Sequence, residues 1–173
     1  MLFNSLSTTS TISDVFKERP LVFNPLLTFV QQLLREEGFL DPKDRELIAT
    51  FTSSLNGCKF CTGSHRVFAI SIGASEDEVK LALSDNYSEL KLAPILDYVK
   101  KLTVSPTSLT KENVDSVLSA GFSEDQLKEA IVICAAFNMF NRIVEGHGIE
   151  ENSSTWQMSA DMINKFGYDG RSS

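Results

Sequence analysis

The sequence is poor in the residues that carry redox or metal chemistry, with three cysteines and two histidines among 173 residues. An odd and small number of cysteines does not suit a secreted, disulfide-stapled scaffold, so we expect a reducing, cytoplasmic setting. The N-terminal stretch MLFNSLSTTSTIS also lacks the basic start and apolar run of a secretory signal.

Long apolar runs and an excess of positive charge are missing as well. The longest apolar run, AIVICAAF at 130–137, is far shorter than the roughly 20 residues of a membrane span. The formal net charge is -7, which disfavours binding to nucleic acid or to an anionic membrane. Hydrophobic residues make up 42% of the chain, enough for one domain with a sizeable core. We therefore expect neither a nucleic acid nor a membrane among its partners.

Helical periodicity and helix-capping signals run along most of the chain, and alternating strand patterns are absent. We predict an all-α bundle of antiparallel hairpins, with residues 1–19 as an N-terminal leader and residues 20–173 as a single domain. The predicted helices lie near residues 25–37, 41–55, 58–72, 75–83, 89–104, 110–120, 125–146 and 155–166.

Two stretches of the sequence resemble each other, GASEDEVKLAL at 73–83 and GFSEDQLKEAI at 121–131. One interpretation is that capping chemistry is limited, so that two capped helix starts look alike. The other, which we favour, is an internal duplication of a helical hairpin. In a duplicated chain the second copy would be scaffold, because Pro106, Leu109 and Asn113 would replace the reactive residues of the first.

Those reactive residues lie in NGCKFCTGSHRVFAI, residues 56–70. On one helix Cys58, Cys61 and His65 share a face, because each helical residue turns by about 100°. The two cysteines lie one turn apart, with Cα atoms about 5–6 Å from each other, which is within the range of a disulfide. The pattern favours a dithiol that can be oxidised without a large movement of the backbone.

The spacing does not decide which cysteine is the nucleophile. The helix dipole favours a thiolate at Cys58, whereas His65 leans back over Cys61 and favours a thiolate there. Glu46, on the preceding helix, is the candidate to orient His65. Counting outward from the Asn56-Gly57 turn puts Glu46 about one turn deeper than His65, so a water or a tilted helix crossing is needed to join them.

A zinc site is the alternative use of these residues. Structural zinc normally shows a second Cys or His pair at a recognisable spacing, and the sequence has none, so we favour thiol redox chemistry without a metal or cofactor. The zinc alternative would use Cys58, Cys61 and His65, with Glu46 or His147 as the fourth ligand.

The third cysteine, Cys134, lies inside the apolar run and is expected to be buried and unreactive.

Glu46, twelve positions before Cys58, and the C-x-x-C-x-x-x-H pattern that follows resemble the AhpD-like alkylhydroperoxidase branch of the carboxymuconolactone decarboxylase family. The stretch GFSEDQLKEAIVICAAFNMFNRI resembles the peroxidase-related subgroup, and the resemblance covers about residues 20–150. It implies an all-α fold of helical hairpins assembled as homotrimers or homohexamers.

The resemblance also implies a role for each residue. Cys61 would be oxidised by a hydroperoxide, Cys58 would supply a proton and then form the disulfide, and His65 and Glu46 would form the proton relay. An unidentified thiol or disulfide reductase would return the electrons. The founding peroxidase of the family has a second histidine between the cysteines, where this chain has Phe60, so the resemblance does not extend to proton delivery near Cys58 or to the reducing partner.

A polar stripe on the long helix offers a second wall for the site. Asn138, Asn141, Arg142 and Glu145 recur at helical spacing, so we expect Asn138, Asn141 and Arg142 to line a pocket together with Phe60. The alternative is a stripe that faces solvent or another subunit.

Two other functions remain open at this point. The chain could be a non-enzymatic redox sensor or interaction module, whose disulfide changes its assembly. It could also be a lactone decarboxylase that uses His65 or Glu46 as a base.

Overall fold

The computed structural model describes residues 2–84 and 86–170. These residues form α-helices and short 3₁₀ turns, and no strand occurs among them. The all-α prediction is therefore confirmed. The helices are α1 (Ile12–Glu18), α2 (Pro20–Leu34), α3 (Pro42–Leu55), α4 (Lys59–Ser71), α5 (Glu76–Ala82), α6 (Ala93–Val104), α7 (Lys111–Ser119), α8 (Glu124–His147) and α9 (Trp156–Phe166).

The α3–α4 hairpin begins and ends where the sequence predicts. Asp41 is the N-cap of α3 and Pro42 is its first residue, where the missing N–H of proline costs no hydrogen bond. Gly57 makes the turn with φ +71°, a backbone conformation that residues other than glycine rarely adopt. Cys58 then stands at the N-cap of α4, one residue before the helix itself.

Two capping boxes open α5 and α8, as predicted. Ser75 and Glu78 exchange hydrogen bonds at the start of α5, and Ser123 and Gln126 do so at the start of α8. After this shared start the helices differ, because α5 has 7 residues and α8 has 24. Capping chemistry accounts for the similar residues, and the internal duplication stays a prediction.

The N-terminal region departs from the expected boundaries. Helix α1 lies inside the predicted leader, and its Val15 and Phe16 are buried in the same core as the rest of the chain. Helix α2 begins at Pro20 rather than near residue 25, so that predicted start is wrong. Pro25 is the sixth residue of α2, where it lacks the N–H that would donate to the carbonyl oxygen of Leu21.

Helix α3 forms the centre of the bundle. All nine residues from Arg45 to Ser53 are buried, which requires neighbours on every side of the helix. Helices α4, α6 and α8 pack against α3, and α9 packs on the outer side of α4. No helix in the described part of the chain is long and apolar enough to cross a bilayer.

Candidate active site

Both cysteines of the predicted site are free thiols buried at the start of α4. Cys58 is 0% exposed and Cys61 is 4% exposed. The hydrogen bond of its thiol to Cys61, together with burial, raises the pKa of Cys58 well above its ordinary value. Glu145 of α8 adds a weaker contact that acts in the same direction. Cys58 therefore stays protonated and donates toward Cys61.

His65 reaches Glu46 directly, without the bridging water that counting residues left open. Its Nδ1 lies 2.7 Å from Oε2 of Glu46, and the side chain of Glu46 is 0% exposed. An ionised carboxylate can only accept a hydrogen bond, so Nδ1 carries the hydrogen and donates it. Nε2 of His65 is then the ring nitrogen that is left to accept a proton.

Aromatic rings hold the imidazole in place. Phe68 and Phe137 meet His65 edge-on, with ring centroids 5.1 and 4.6 Å away. The ring of Tyr168 stacks on the imidazole at 6.3 Å with an interplanar angle of 13°. The side chain of His65 is only 12% exposed, so this ring does not face bulk solvent.

The second carboxylate oxygen of Glu46 has its own partners. Tyr168 donates its phenol hydrogen to Oε1 at 2.6 Å, and Nη2 of Arg35 lies 2.9 Å from the same oxygen. Burial and the neighbouring negative charge of Glu46 raise the pKa of the Tyr168 phenol well above its usual value. Tyr168 is thus a neutral hydrogen-bond donor to Glu46.

Cys61 and His65 open into a cavity of about 470 Å³. Its polar residues, apart from Cys61 and His65, are hydroxyl-bearing side chains, and no Lys, Arg, Asp or Glu lines it in the described part of the chain. The exposed Met158 and Met162 lie among the lining residues of α9. The apolar walls are Ile12, Phe16, Leu27, Val30, Phe60, Phe68, Phe137, Phe140, Trp156 and Ile163.

Of the residues expected to line a pocket with the cysteines, Phe60 does so and the three polar residues of α8 do not. The α8 residues that face the cavity are Phe137 and Phe140, and each following residue is rotated by about 100° around the helix. Asn138 and Asn141 therefore point to the α3–α4 turn instead, where Asn56 donates to both of them at 3.3 and 2.9 Å. Arg142 donates to the carbonyl oxygen of Asn138.

Cys134 lies apart from this site. It is 0% exposed and contacts Oγ1 of Thr103 at 3.2 Å, and burial raises the pKa of its thiol. His147, the other histidine, uses Nδ1 to bond the carbonyl oxygen of Ile143 at the end of α8. Within residues 2–84 and 86–170, no group of three or more His, Cys, Asp or Glu side chains is arranged to hold a metal ion.

Three residues of the site escaped prediction: Arg35, Trp156 and Tyr168. Arg35 closes α2, where it reads in sequence as an ordinary charge, and its contact with Glu46 depends on how α2 packs on α3. Trp156 is the first residue of α9 and Tyr168 follows its end, and α9 packs on α4 from far along the chain. The only signals were the single tryptophan of the chain and Gly167 directly after the last amphipathic run.

The fold and the site define an all-α helical bundle with a buried cysteine pair beside a histidine–glutamate pair. Residues 20–88 match the Carboxymuconolactone decarboxylase family. The matched segment contains Glu46, Cys58, Cys61 and His65, and it confirms the family resemblance that these residues carried in the sequence.

Solved structures share the fold. An uncharacterized peroxidase-related protein from Silicibacter sp. TM1040 superimposes with a TM-score of 0.75 at 18% identity, over 83% of this chain and 76% of its own. The alkylhydroperoxidase AhpD core of an uncharacterized peroxidase-related protein from Ralstonia eutropha JMP134 gives 0.74 at 20% identity, over 82% and 76%. A protein of unknown function from Agrobacterium tumefaciens gives 0.63 at 23% identity, over 80% and 95%.

At these identities the likeness is one of fold. None of the curated protein sequences matches this chain at a significant level.

Proposed function

We propose that the protein is a thiol peroxidase that reduces organic hydroperoxides through a Cys58–Cys61 dithiol and disulfide cycle. The observation that supports it most is the cavity that brings Cys61 and His65 together, with Glu46 behind the imidazole and Cys58 hydrogen-bonded to Cys61. A buried thiol next to a supported base is the arrangement that thiolate chemistry requires.

The first step oxidises Cys61. Nε2 of His65 takes the thiol proton, and the Cys61 thiolate attacks the terminal oxygen of the hydroperoxide. The O–O bond breaks, Cys61 becomes a sulfenic acid, and the alkoxide leaves as an alcohol after accepting the proton from His65. The Nδ1–H bond to Glu46 stabilises the imidazolium while it holds that proton.

The second step forms the disulfide. Cys58 is protonated because of its raised pKa, and it lies one helical turn from Cys61. Its sulfur attacks the sulfenic sulfur, the S–O bond breaks, and water leaves with the proton from Cys58. A dithiol donor then reduces the disulfide, is itself oxidised, and returns two electrons and two protons to the cysteines.

The cavity favours a substrate with bulky apolar substituents. Aromatic and aliphatic side chains form most of its wall, and none of the lining residues in the described chain is Lys, Arg, Asp or Glu. A carboxylated lactone, the substrate that the name of the matched family suggests, would need a cation at this wall. The cavity therefore supports hydroperoxide reduction over lactone decarboxylation with His65 or Glu46 as base.

The names of related structures agree with this proposal without establishing it. Two of them are described as peroxidase-related, and the Agrobacterium protein was named as a candidate AhpD antioxidant defence protein. We extend that chemistry to this chain because its site contains the residues that the chemistry needs.

The test is a single-turnover reaction with one equivalent of cumene hydroperoxide, followed by peptide mapping of the product. We expect a disulfide between Cys58 and Cys61 and one equivalent of alcohol. Cys58→Ser should stop at a sulfenic acid on Cys61, Cys61→Ser should not consume hydroperoxide, and Cys134→Ser should behave as the wild type. Hydroperoxide consumption that survives in Cys61→Ser would contradict the proposal.

Turnover separates a peroxidase from a redox sensor. With dithiothreitol in excess, a peroxidase consumes many equivalents of hydroperoxide per chain. A sensor whose disulfide the added thiol does not reduce stops after one equivalent, and its oxidised form changes assembly size in analytical ultracentrifugation.

A further inference from the structure

We propose that Tyr168 and Arg35 are positioning residues of this site, which hold the carboxylate of Glu46 and keep it aimed at Nδ1 of His65. The inference rests on the proposed function, because it concerns how the His65–Glu46 relay is supported. It goes beyond that function by assigning a role to the segment after α9, which lies outside the segment matched to the family.

The geometry divides the two oxygens of Glu46 between two tasks. Oε2 accepts the hydrogen of His65 Nδ1 at 2.7 Å, and Oε1 accepts the phenol hydrogen of Tyr168 at 2.6 Å. Arg35 adds a positive charge, with Nη2 at 2.9 Å from Oε1 and the guanidinium carbon 5.4 Å from the centre of the Tyr168 ring. The carboxylate is thus held from both sides and cannot turn away from the imidazole without losing a partner.

The backbone around Tyr168 is built for this contact. Gly167 has φ +74°, and a Cβ at this position would lie 2.7 Å from Oε1 of Gln31. The same Gln31 oxygen accepts the backbone N–H of Tyr168 at 2.8 Å. A glycine is therefore required immediately before Tyr168, because the chain takes a left-handed turn there and passes close to α2.

Charge balance explains why two partners are needed. Glu46 is 0% exposed, and a buried carboxylate without compensation is costly. The charged or titratable groups in contact with it come from three elements, namely Arg35 at the end of α2, His65 in α4 and Tyr168 after α9. Arg35 supplies the compensating charge and Tyr168 a neutral hydrogen bond.

Removal of either partner of Glu46 should shift the pH dependence of Cys61 reactivity in a defined direction. When either the Tyr168 hydrogen bond or the Arg35 charge is removed, Glu46 attracts the Nδ1 proton more strongly, and the doubly protonated imidazolium persists to higher pH. In a plot of the rate of Cys61 alkylation against pH, the acid limb should then move to higher pH. Because only part of the lost interaction with Glu46 reaches His65, we expect a shift of about half a pH unit or more.

The experiment measures alkylation of Cys61 by iodoacetamide between pH 5 and 9, with peptide mapping to separate Cys61 from Cys58. We expect Tyr168→Phe to shift the acid limb upward. The matched control is Tyr87→Phe, because Tyr87 also donates to a carboxylate, Oδ1 of Asp97 at 2.7 Å, but lies outside the cavity. Tyr87→Phe should leave the profile unchanged.

Arg35 provides the second pair of variants. Arg35→Gln removes the charge and should shift the limb at least as far as Tyr168→Phe, whereas Arg35→Lys keeps the charge and should restore most of the profile. If folded Tyr168→Phe or Arg35→Gln has the wild-type profile, the proposal is overturned, and Arg35→Gln decides if Tyr168→Phe does not fold. Alkylation needs no hydroperoxide, so this result is independent of whether the protein is a peroxidase.

Discussion

His65 and Glu46 are 19 positions apart, yet Nδ1 of the first lies 2.7 Å from Oε2 of the second. The α3–α4 turn at Gly57 folds the two helices against each other, and the buried carboxylate fixes the tautomer of the ring. Reactivity at Cys61 should therefore depend on a residue that never touches the substrate.

Glu46→Gln is the direct test of that dependence. The amide can present its oxygen to His65 but no longer stabilises an imidazolium, so we expect the rate of Cys61 oxidation to fall by about 10²-fold or more. Stopped-flow measurement with cumene hydroperoxide gives this rate, with the fluorescence of Trp156, the single tryptophan of the chain, as the signal.

A matched control for this variant is Glu129→Gln. Glu129 is also a mostly buried carboxylate next to an arginine, with Oε1 at 3.4 Å from Nε of Arg45, but it does not line the cavity. We expect it to lower stability without lowering the oxidation rate. Equal rate losses in the two variants would mean that Glu46 acts only through stability.

The cavity predicts a preference for bulky hydroperoxides. Cumene hydroperoxide should react with Cys61 faster than hydrogen peroxide does, because apolar walls reward burial of the aromatic group. Ser159→Phe places a ring among the lining residues of α9. The reaction with cumene hydroperoxide should therefore slow at least tenfold, whereas the rate with hydrogen peroxide should hardly change. The measurement is the second-order rate constant of each substrate.

Gln157→Phe is the control for that substitution. Gln157 lies on the same helix but is exposed and does not line the cavity. Selectivity that changes equally in both variants, or a wild type that prefers hydrogen peroxide, would show that the cavity does not bind the substrate.

Local signals were sufficient to predict the α3–α4 hairpin and the shared face of Cys58, Cys61 and His65. Pro42 and Gly57 fix where the chain enters and leaves α3, and helical geometry fixes the rest. Neighbours in sequence that are one turn apart must be close in space, so this part of the site follows from spacing.

The rest of the site depends on contacts that spacing does not encode. Tyr168 and Glu46 are 122 positions apart and meet only because α9 packs on α4. Helix α1 was not predicted, because it lies in a Ser- and Thr-rich stretch. The Thr11–Asp14 capping box starts this helix, and burial of Phe16 stabilises it.

An ion pair at the edge of the bundle should make stability depend on pH. Nζ of Lys43 lies 2.7 Å from Oε1 of Glu78, and this bond lowers the pKa of Glu78 below its usual 4.5. A lowered folded-state pKa stabilises the fold above pH 4.5, and this contribution is lost as the pH falls through the folded value. Since both side chains are about a third exposed, we expect only about 0.5 kcal/mol at pH 7.

Glu78→Gln removes the charge that pairs with Lys43 and accepts from Ser75, the two largest causes of the lowered pKa, while glutamine can still accept the Ser75 N–H of the capping box. Urea unfolding should show the loss at pH 7 and almost none at pH 3. Glu76→Gln removes a more exposed pair with Lys80 and should have a smaller effect at pH 7. A constant difference across this pH range would exclude the ion pair as the cause.

The indole of Trp156 in α9 packs directly against Gly63 of α4. A Cβ there would overlap the six-membered part of the Trp156 indole, so Gly63→Ala must push α9 outward or move the indole. We expect a loss of about 1–3 kcal/mol in the free energy of unfolding. The displaced Trp156 should also change its fluorescence, because it is otherwise buried in the cavity wall.

Gly146→Ala should change the free energy of unfolding in the opposite direction to Gly63→Ala. Gly146 lies in α8, and no atom within 4 Å would meet a Cβ at that position, so alanine should stabilise the helix by up to about 1 kcal/mol. If Gly63→Ala were as stabilising as Gly146→Ala, the indole could not be packed on Gly63. Helix α9 would then not form this wall of the cavity. The turn after α9, which brings Tyr168 to Glu46, would also lie elsewhere.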